Sequence, residues 1–246
     1  MERYQVIIRY DGTAFGGMQR QDNTRTIQGD FETALRNIGW MGKSILAAGR
    51  TDAGVHAAGQ VLAFDLEWKH TSQDLCNALN ANLPPDIGVQ QVSIAKADFH
   101  PRFDAIERSY RYQIICCQNR DPLRERYAWR IWPEPDFELL QAFAAGIVGE
   151  YDFSAFGTPP IPGGTTIRRI YQADWAKQSD QLVFEISANA YLYHMVRRMV
   201  HYQVGVGLGK IPLDDLKEVL LGQGNEMIQG LAPACGLFLQ SVRYLD

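Results

Sequence analysis

Apolar segments and segments with helical hydrophobic spacing alternate along the first hundred residues. The apolar segments predict strands, and hydrophobic residues that recur every three or four positions predict helices. In chain order we expect a strand in 4–15, a helix in 26–40 with Thr26 as N-cap, strands in 44–49 and 60–68, a helix in 71–84 and a strand in 89–97. This β-α-β-β-α-β order is that of ferredoxin-like folds.

The second half of the chain repeats this order loosely. We expect a strand in 108–116, a helix in 135–149, a hairpin of 170–178 and 181–188, helices in 189–205 and 212–222, and a final strand in 236–245. The sequence therefore predicts an α+β fold of two halves, 1–104 and 105–246, with mostly antiparallel sheets and flanking helices.

The composition is that of a folded protein without a membrane span. Apolar residues make up 46% of the 246 residues and charged residues 21%, which are ordinary fractions for globular domains. No apolar run approaches the ~20 residues that cross a bilayer, and the first residues lack a signal-peptide pattern, so we expect a cytoplasmic protein. The four cysteines have no spacing typical of a metal site.

The distribution of charge favours a nucleic acid as partner. The formal net charge is −4, yet 18 of the 24 basic residues are arginines, and seven of these lie between residues 100 and 130. Arg168 and Arg169 add a basic pair further along the chain. Arginine presents planar donors that suit phosphates and bases, and clustered positive charge attracts nucleic acids.

The stretch "AGRTDAGVHAAG", residues 48–59, separates two apolar strands and holds Arg50 and Asp52 among small residues. Two interpretations of Asp52 are open at this point. It turns the chain by bonding its own backbone, or it is a carboxylate that Arg50 keeps ionised and that acts as a nucleophile or base. A single histidine beside such a loop, here His56, is more often structural than catalytic.

The strand "RSYRYQI", residues 108–114, contains a pair of tyrosines at strand spacing. The period of two places Tyr110 and Tyr112 on the same face. Ordinary aromatic packing explains this pattern, and so does a surface on which an exposed base stacks. The pattern by itself does not separate the two interpretations.

The helix predicted in 189–205 has a cationic face. The residues on this face are His194, Arg197, Arg198 and His201. The face contains no acidic residue, although most polar helix faces are merely solvated. Its composition favours contact with the phosphates of a nucleic acid, and we expect Arg197 and Arg198 to bind the substrate.

Five motifs in this order resemble the tRNA pseudouridine synthase A (TruA) family. They are "YDGTAFGGMQRQ", "GRTDAGVHA", "FHPRFDAIERSYRYQI", "NAYLYHMVRRMV" and "APACGLFL". The resemblance implies a pseudouridine synthase fold with two ferredoxin-like or RRM-like halves. It also implies isomerisation of uridine to pseudouridine at positions 38, 39 and 40 in the anticodon arm of tRNA. Such enzymes use neither a metal nor another cofactor and act as homodimers.

The resemblance also assigns roles to residues of this chain. Asp52 corresponds to the essential carboxylate and Tyr110 to the residue that stacks on the target base. Arg50 corresponds to the arginine that pairs with the aspartate and helps to flip the nucleotide, and Leu237 corresponds to a wall of the pocket. Met18 and Pro101 depart from the family pattern, which affects the expected substrate contacts and not the expected activity.

Two other classes of function also fit part of the sequence. A non-catalytic RNA-binding module would have the same element order and an aromatic strand, but it leaves the Arg50–Asp52 pair unexplained. A hydrolase that cleaves an N-glycosidic bond would use a carboxylate, but it normally needs a second acid or a metal. The sequence leaves open whether Asp52 attacks the sugar carbon or removes a ribose proton.

Overall fold

The computed structural model describes residues 1–221 and 227–245 of the chain. It contains two compact units, one formed by Met1–Ile106 with Phe238–Asp246 and the other by Glu107–Leu237. Both units are α+β, and most of their strands are antiparallel, as the sequence predicts. No helix of the described residues is long and apolar enough to cross a membrane.

The described residues form ten strands and five α-helices. The strands are β1 (Glu2–Tyr10), β2 (Leu46–Ala47), β3 (His56–Leu66), β4 (Ile87–Ile94), β5 (Ala105–Cys116), β6 (Trp129–Ile131), β7 (Gly149–Asp152), β8 (Ile167–Gln178), β9 (Gln181–Ala188) and β10 (Leu237–Tyr244). The helices are α1 (Ile27–Asn37), α2 (Ser72–Asn82), α3 (Phe137–Gly146), α4 (Met195–Gly207) and α5 (Asp215–Leu220).

The sheet of the first unit has the strand order β4-β1-β3, and β2 also pairs with β3. These pairings are antiparallel, with Tyr4 opposite Phe64 in β1 and β3. The chain order β-α-β-β-α-β is the one predicted from the hydrophobic pattern, and the strand arrangement is ferredoxin-like.

The two helices of the first unit begin where the sequence predicts. The hydroxyl of Thr26 accepts the N–H of Gly29 at the start of α1. The hydroxyl of Thr71 accepts the N–H of Asp74 at the start of α2, and the carboxylate of Asp74 accepts the N–H of Thr71. These side chains satisfy backbone donors that the first turn of a helix leaves unpaired.

The last strand belongs to the first unit, which differs from the predicted boundary. The sequence assigns all residues from 105 onward to the second half, whereas Phe238–Asp246 cluster with Met1–Ile106. The cause is a parallel pairing of β10 with β3, with Leu239 opposite Ala57. Gly59 allows this pairing, because a Cβ there would overlap the backbone carbonyl oxygen of Gln240. Pairing over such a sequence distance is invisible to a local pattern.

The second unit contains an antiparallel sheet with the strand order β5-β9-β8-β7. The short strand β6 pairs in parallel with β5. The predicted hairpin is present, since β8 and β9 turn at residues 179–180. Helix α3 packs against α4 and β8, and the indole N–H of Trp175 donates to the side-chain oxygen of Gln203 at 2.7 Å within this core.

Helix α4 begins six residues later than predicted. The sequence predicts a helix from residue 189, but α4 starts at Met195, and His194 before it has a left-handed backbone with φ of 63°. The backbone donors before it bond outside any helix: the N–H of Tyr193 donates to the carbonyl of Thr158 at 2.8 Å. The prediction that His194 lies on the helix face is therefore wrong.

The short helix predicted in 212–222 corresponds to α5. This helix spans Asp215–Leu220, shorter than predicted at both described ends. Residues 222–226 and 246 of the predicted second half lie outside the described residues.

We predict that Gly59→Ala destabilises the first unit by disturbing the pairing of β10 with β3. The added methyl group meets backbone atoms, which cannot move aside as a flexible side chain can, so we expect a loss of about 1–3 kcal/mol in the free energy of unfolding. Urea unfolding followed by circular dichroism measures this change.

The matched control is Gly49→Ala. No atom lies within 4 Å of a Cβ at this position, and its backbone is outside the left-handed region. The same change should therefore be neutral or slightly stabilising there, because alanine restricts the unfolded chain. Equal urea midpoints for the two variants would contradict the assigned role of Gly59.

Candidate active site

Residues 48–55 form the connection between β2 and β3, and we call them the Asp52 loop. The N–H of Ala48 donates to the carbonyl of Val61 at 2.9 Å, and the side-chain amide of Gln60 donates to the carbonyl of Gly49 at 3.0 Å. Both partners lie in β3. The start of the loop is therefore anchored to the central strand of the first unit.

A tight turn brings Asp52 to the surface of the loop. The N–H of Val55 donates to the carbonyl of Asp52 at 3.2 Å, and Gly54 within the turn has a φ of 78°, a conformation that favours glycine. The side chain of Asp52 is half-buried. The backbone around Asp52 therefore forms a turn, as the structural interpretation of the sequence expects, and the residue as a whole is only half-buried.

Thr51 is the buried anchor of the loop. Its side chain is 7% exposed, and its hydroxyl lies 2.7 Å from the hydroxyl of Tyr10 at the end of β1. Burial raises the pKa of Tyr10 to about 12, so its hydroxyl stays protonated at neutral pH. The pair joins the residue beside Asp52 to the core of the sheet.

Residues 11–18 pack against the Asp52 loop backbone to backbone, and we call them segment 11–18. The N–H of Met18 donates to the carbonyl of Thr51 at 3.0 Å. A Cβ on Gly12 would overlap the carbonyl of Val55, and a Cβ on Gly17 would lie 2.8 Å from the carbonyl oxygen of Thr51. Two of the motifs noted in the sequence are thus in contact, and their glycines permit the contact.

His56 is part of this packing and not of an exposed site. It is 1% exposed, and its ring stacks on Phe238 with 4.7 Å between centroids. The N–H of Gly12 donates to its Nδ1 at 3.0 Å, which requires an unprotonated Nδ1. A carboxylate oxygen of Asp11 lies 3.2 Å from the same atom, but it already accepts from the N–H and hydroxyl of Thr13. These contacts support a structural role for His56.

Tyr110 lies on β5 in the second unit, and its side chain is half-buried. The ring of Tyr191 meets it edge to face, with 5.0 Å between centroids and 87° between planes. The hydroxyl of Tyr191 is 3.2 Å from the carbonyls of Arg108 and Ile186, and burial raises its pKa well above the usual value. Tyr191 is therefore a fixed support that orients the ring of Tyr110.

Tyr112 does not extend this surface. It is fully buried, and its hydroxyl donates to the carbonyl of Pro233 at 2.8 Å. Gly236 lies against its ring, where a Cβ would come within 2.6 Å of Cζ. Of the two interpretations of this strand, ordinary packing therefore applies to Tyr112, whereas Tyr110 is only half-buried.

Arg50 and Leu237 differ in exposure. Arg50 is exposed on the Asp52 loop, and its pairing with Asp52 stays a prediction. Leu237 is 6% exposed at the start of β10, directly after a single turn of 3-10 helix at Ala234–Gly236. An apolar side chain at this depth suits a pocket wall as well as ordinary core, so its role also stays a prediction.

The two arginines of α4 are half-buried and bond to backbone carbonyls. Nε of Arg197 donates to the carbonyl of Ala232 at 2.8 Å, and Nη1 of Arg198 donates to the carbonyl of Phe156 at 3.0 Å. They therefore also hold neighbouring segments in place, which the sequence does not predict. Their binding to phosphates stays a prediction.

Comparison with known proteins identifies the family. A sequence profile described as tRNA pseudouridine synthase matches residues 6–104 and 143–245. The tRNA pseudouridine synthase A of Limosilactobacillus fermentum is 36% identical over 99% of this chain and 96% of that protein. The chain belongs to the tRNA pseudouridine synthase A family. Proteins of the same name from Geobacter sp. (strain M21) and Listeria innocua are 36% and 38% identical, over 99% of this chain and 99% and 100% of their own lengths.

The family assignment confirms the resemblance found in the sequence and the predicted class of enzyme, since pseudouridine synthases are isomerases. Among solved structures, a chain of a Cbf5-Nop10-Gar1 complex matches with a TM-score of 0.34 and 10% identity, over 82% of this chain and 45% of that chain. That likeness is too weak to support an argument. In the described part of this synthase, no group of three or more His, Cys, Asp or Glu residues is arranged to hold a metal ion.

Sequence reasoning missed the residues that hold the synthase's site in shape. Tyr10, Thr51 and Tyr191 fall within three of the five motifs, but the sequence assigned them no role, and Tyr191 lies in a segment predicted to be helical. A local signal existed only for the glycines, because a glycine-rich stretch indicates a close backbone approach.

We predict that Tyr10→Phe lowers the free energy of unfolding of this synthase by about 1–3 kcal/mol, because it leaves the buried hydroxyl of Thr51 without its partner. Combining it with Thr51→Val should recover part of this loss, since the double variant removes both polar groups. Urea unfolding of the two single variants and the double variant gives the coupling.

The control is Tyr4→Phe on the same strand. Its hydroxyl bonds at 2.9 Å to the carboxylate of Glu2, an exposed residue that water can solvate after the change. If Tyr4→Phe lowers the free energy of unfolding as much as Tyr10→Phe does, the Thr51–Tyr10 pair contributes no more to stability than an exposed hydrogen bond.

Proposed function

We propose that this tRNA pseudouridine synthase isomerises uridine at positions 38, 39 and 40 in the anticodon arm of tRNA, with Asp52 as the catalytic carboxylate. The observation that carries the proposal is the full-length match to proteins named tRNA pseudouridine synthase A, at 36–38% identity. The choice of positions in the anticodon arm rests on the resemblance of the five motifs.

The reaction needs a positioned anionic group at the ribose. The bond between C1′ and N1 of uracil breaks, the base rotates, a bond forms between C1′ and C5, the proton on C5 leaves, and N1 gains a proton from solvent. The carboxylate of Asp52 assists either by attacking the sugar carbon or by removing a ribose proton. The anchored Asp52 loop supports this role, because a fixed carboxylate needs little reorganisation in the transition state.

Base flipping is part of the proposal. A base inside a helical stem is out of reach of a side chain, so the target nucleotide must leave the stack. Tyr110 then replaces part of the lost stacking, an effect of about 1–3 kcal/mol per base. The edge-on support from Tyr191 favours this role, since a ring held in one orientation loses little entropy when a base stacks on it.

The remaining predicted residues take secondary roles. The exposed guanidinium of Arg50 pairs with Asp52 and contacts the space that the base vacates. Leu237 contributes an apolar wall beside the base. Arg197 and Arg198 contact phosphates through donor groups beyond those that bond to backbone carbonyls. These roles follow from the resemblance and the residue chemistry.

Two other functions are tested by the same experiment. A tRNA labelled with tritium at C5 of uridine releases the label without freeing uracil if the enzyme isomerises it. An N-glycosidic hydrolase would free the base, and a binding module would do neither. Release of label with the base still attached to the tRNA is the expected result for the parent protein.

We predict that Asp52→Asn abolishes tritium release while tRNA binding and folding stay nearly intact, because the amide keeps the shape but not the negative charge of the carboxylate. Residual turnover within tenfold of the parent would refute the central role of Asp52. Asp98→Asn is the control, since it makes the same chemical change at an exposed carboxylate of the first unit and should leave turnover unchanged.

We also propose that the enzyme is a cytoplasmic homodimer. A chain with a formal charge of −4 offers limited basic surface to a tRNA, and two copies supply two sets of basic residues. We predict that sedimentation at micromolar concentration gives twice the mass of one chain and that tRNA affinity falls steeply with salt. A monomeric mass would contradict the first part, and a flat salt dependence would contradict the second.

A further inference from the structure

The segment that precedes β8 is an exposed loop whose two ends are joined by a hydrogen bond. The loop spans residues 157–166 and is rich in proline and glycine. The N–H of Phe153, just before the loop, donates to the carbonyl of Thr166 at its end, at 3.1 Å. This bond joins the two ends of the loop, residues 153–157 and 165–168, which we call its feet. Within the loop, residues 160–165 are all exposed. The feet are therefore held together while the loop itself reaches into solvent.

Arg168 lies at one foot of this loop and is almost fully buried, with 7% exposure. Its Nη1 donates to the carbonyls of Thr165 and Ile167 at 2.9 and 2.6 Å. Within residues 1–221 and 227–245, no acceptor bonds to its buried Nε, and no carboxylate pairs with its guanidinium. Burial lowers the pKa of this arginine from its usual value.

Arg198, on α4, has a similar hydrogen-bonding environment beside the other foot of the loop. Its Nη1 bonds to the carbonyl of Phe156, and its Nε is buried with no acceptor among the described residues. Burial lowers its pKa, and the positive charge of Arg197 lowers it further. Two guanidinium groups without a carboxylate partner in the described structure therefore hold the two ends of one exposed loop.

A buried cation without a counter-ion is costly, so its retention calls for an explanation. Nη1 of Arg168 donates to two carbonyls, and these bonds hold the guanidinium in place. The N–H on Nε has no acceptor among the described residues. This edge of the guanidinium suits an oxyanion, because arginine binds phosphate and carboxylate through adjacent N–H groups. The backbone carbonyls satisfy part of the guanidinium but bring no full negative charge.

We propose that the feet of the loop 157–166 form a phosphate-binding subsite for the RNA substrate, with Arg168 as its principal donor and Arg198 as the second cation. That the phosphate belongs to an RNA rests on the proposed function. The proposal distinguishes Arg168 from Arg169, which the sequence presents as one basic pair. Arg169 points to the opposite face of β8 and pairs with Glu150 at 3.2 Å, with 59% of its side chain exposed.

The first experiment uses inorganic phosphate as the probe. Thermal unfolding of the parent, Arg168→Gln and Arg169→Gln is followed in phosphate and in chloride at equal ionic strength and pH. We expect phosphate to raise the unfolding temperature of the parent and of Arg169→Gln by several degrees, because it binds the folded state only. Arg168→Gln should lose most of this difference. An equal phosphate effect in all three proteins would overturn the proposal.

The second experiment measures tRNA affinity against salt concentration for the same three proteins. We expect Arg168→Gln to weaken binding about tenfold and to flatten the salt dependence by about one phosphate contact, with Arg169→Gln close to the parent. If phosphate stabilises the parent but Arg168→Gln binds tRNA normally, the subsite takes a free anion and the RNA assignment is wrong. If the parent isomerises tRNA and Arg168→Gln binds tRNA normally, the proposed function stands and only the subsite is rejected.

A variant that keeps the charge covers the case in which Arg168→Gln does not fold. Arg168→Lys retains a cation but loses the planar pair of donors, so we expect a phosphate effect well below that of the parent. If the parent shows no phosphate stabilisation relative to chloride, the proposal fails without reference to any variant.

Discussion

The close backbone approach between segment 11–18 and the Asp52 loop is the constraint on which the rest of the candidate active site depends. Gly12 and Gly17 lie where any side chain would meet carbonyl groups of Val55 and Thr51. With the backbones this close, the N–H of Met18 reaches the carbonyl of Thr51. The residue next to Asp52 is therefore fixed from two directions, by a neighbouring backbone and by the buried hydroxyl of Tyr10.

A similar division between a fixed support and an accessible group occurs in the second unit. Tyr191 is held by two backbone carbonyls and meets Tyr110 edge to face, while Tyr110 itself is only half-buried. In both units the residue to which the proposed function gives chemistry or stacking lies beside a residue held by buried hydrogen bonds. Such pre-organisation lowers the cost of binding and of reaching the transition state.

The arginines show that a residue type does not fix a role. Arg169 is paired with a carboxylate at the surface, whereas its neighbour Arg168 is buried with backbone carbonyls as its hydrogen-bond partners. Arg198 shares the second environment, and its guanidinium holds a loop while its charge has no carboxylate partner in the described structure. Burial and pairing, and not the count of positive charges, decide which of these cations can attract an anion.

The sequence by itself determined the elements of the first unit, the cap at Thr26, the hairpin of β8 and β9 and the family, because all of these depend on local spacing or ordered motifs. Only the tertiary structure decided that β10 pairs with β3, that α4 starts at Met195, and that Tyr112 is core while Tyr110 is accessible. These features depend on contacts between residues far apart in the chain, such as Gly59 with Gln240, and a local pattern contains no information about which distant backbone will satisfy a given donor or cover a given ring.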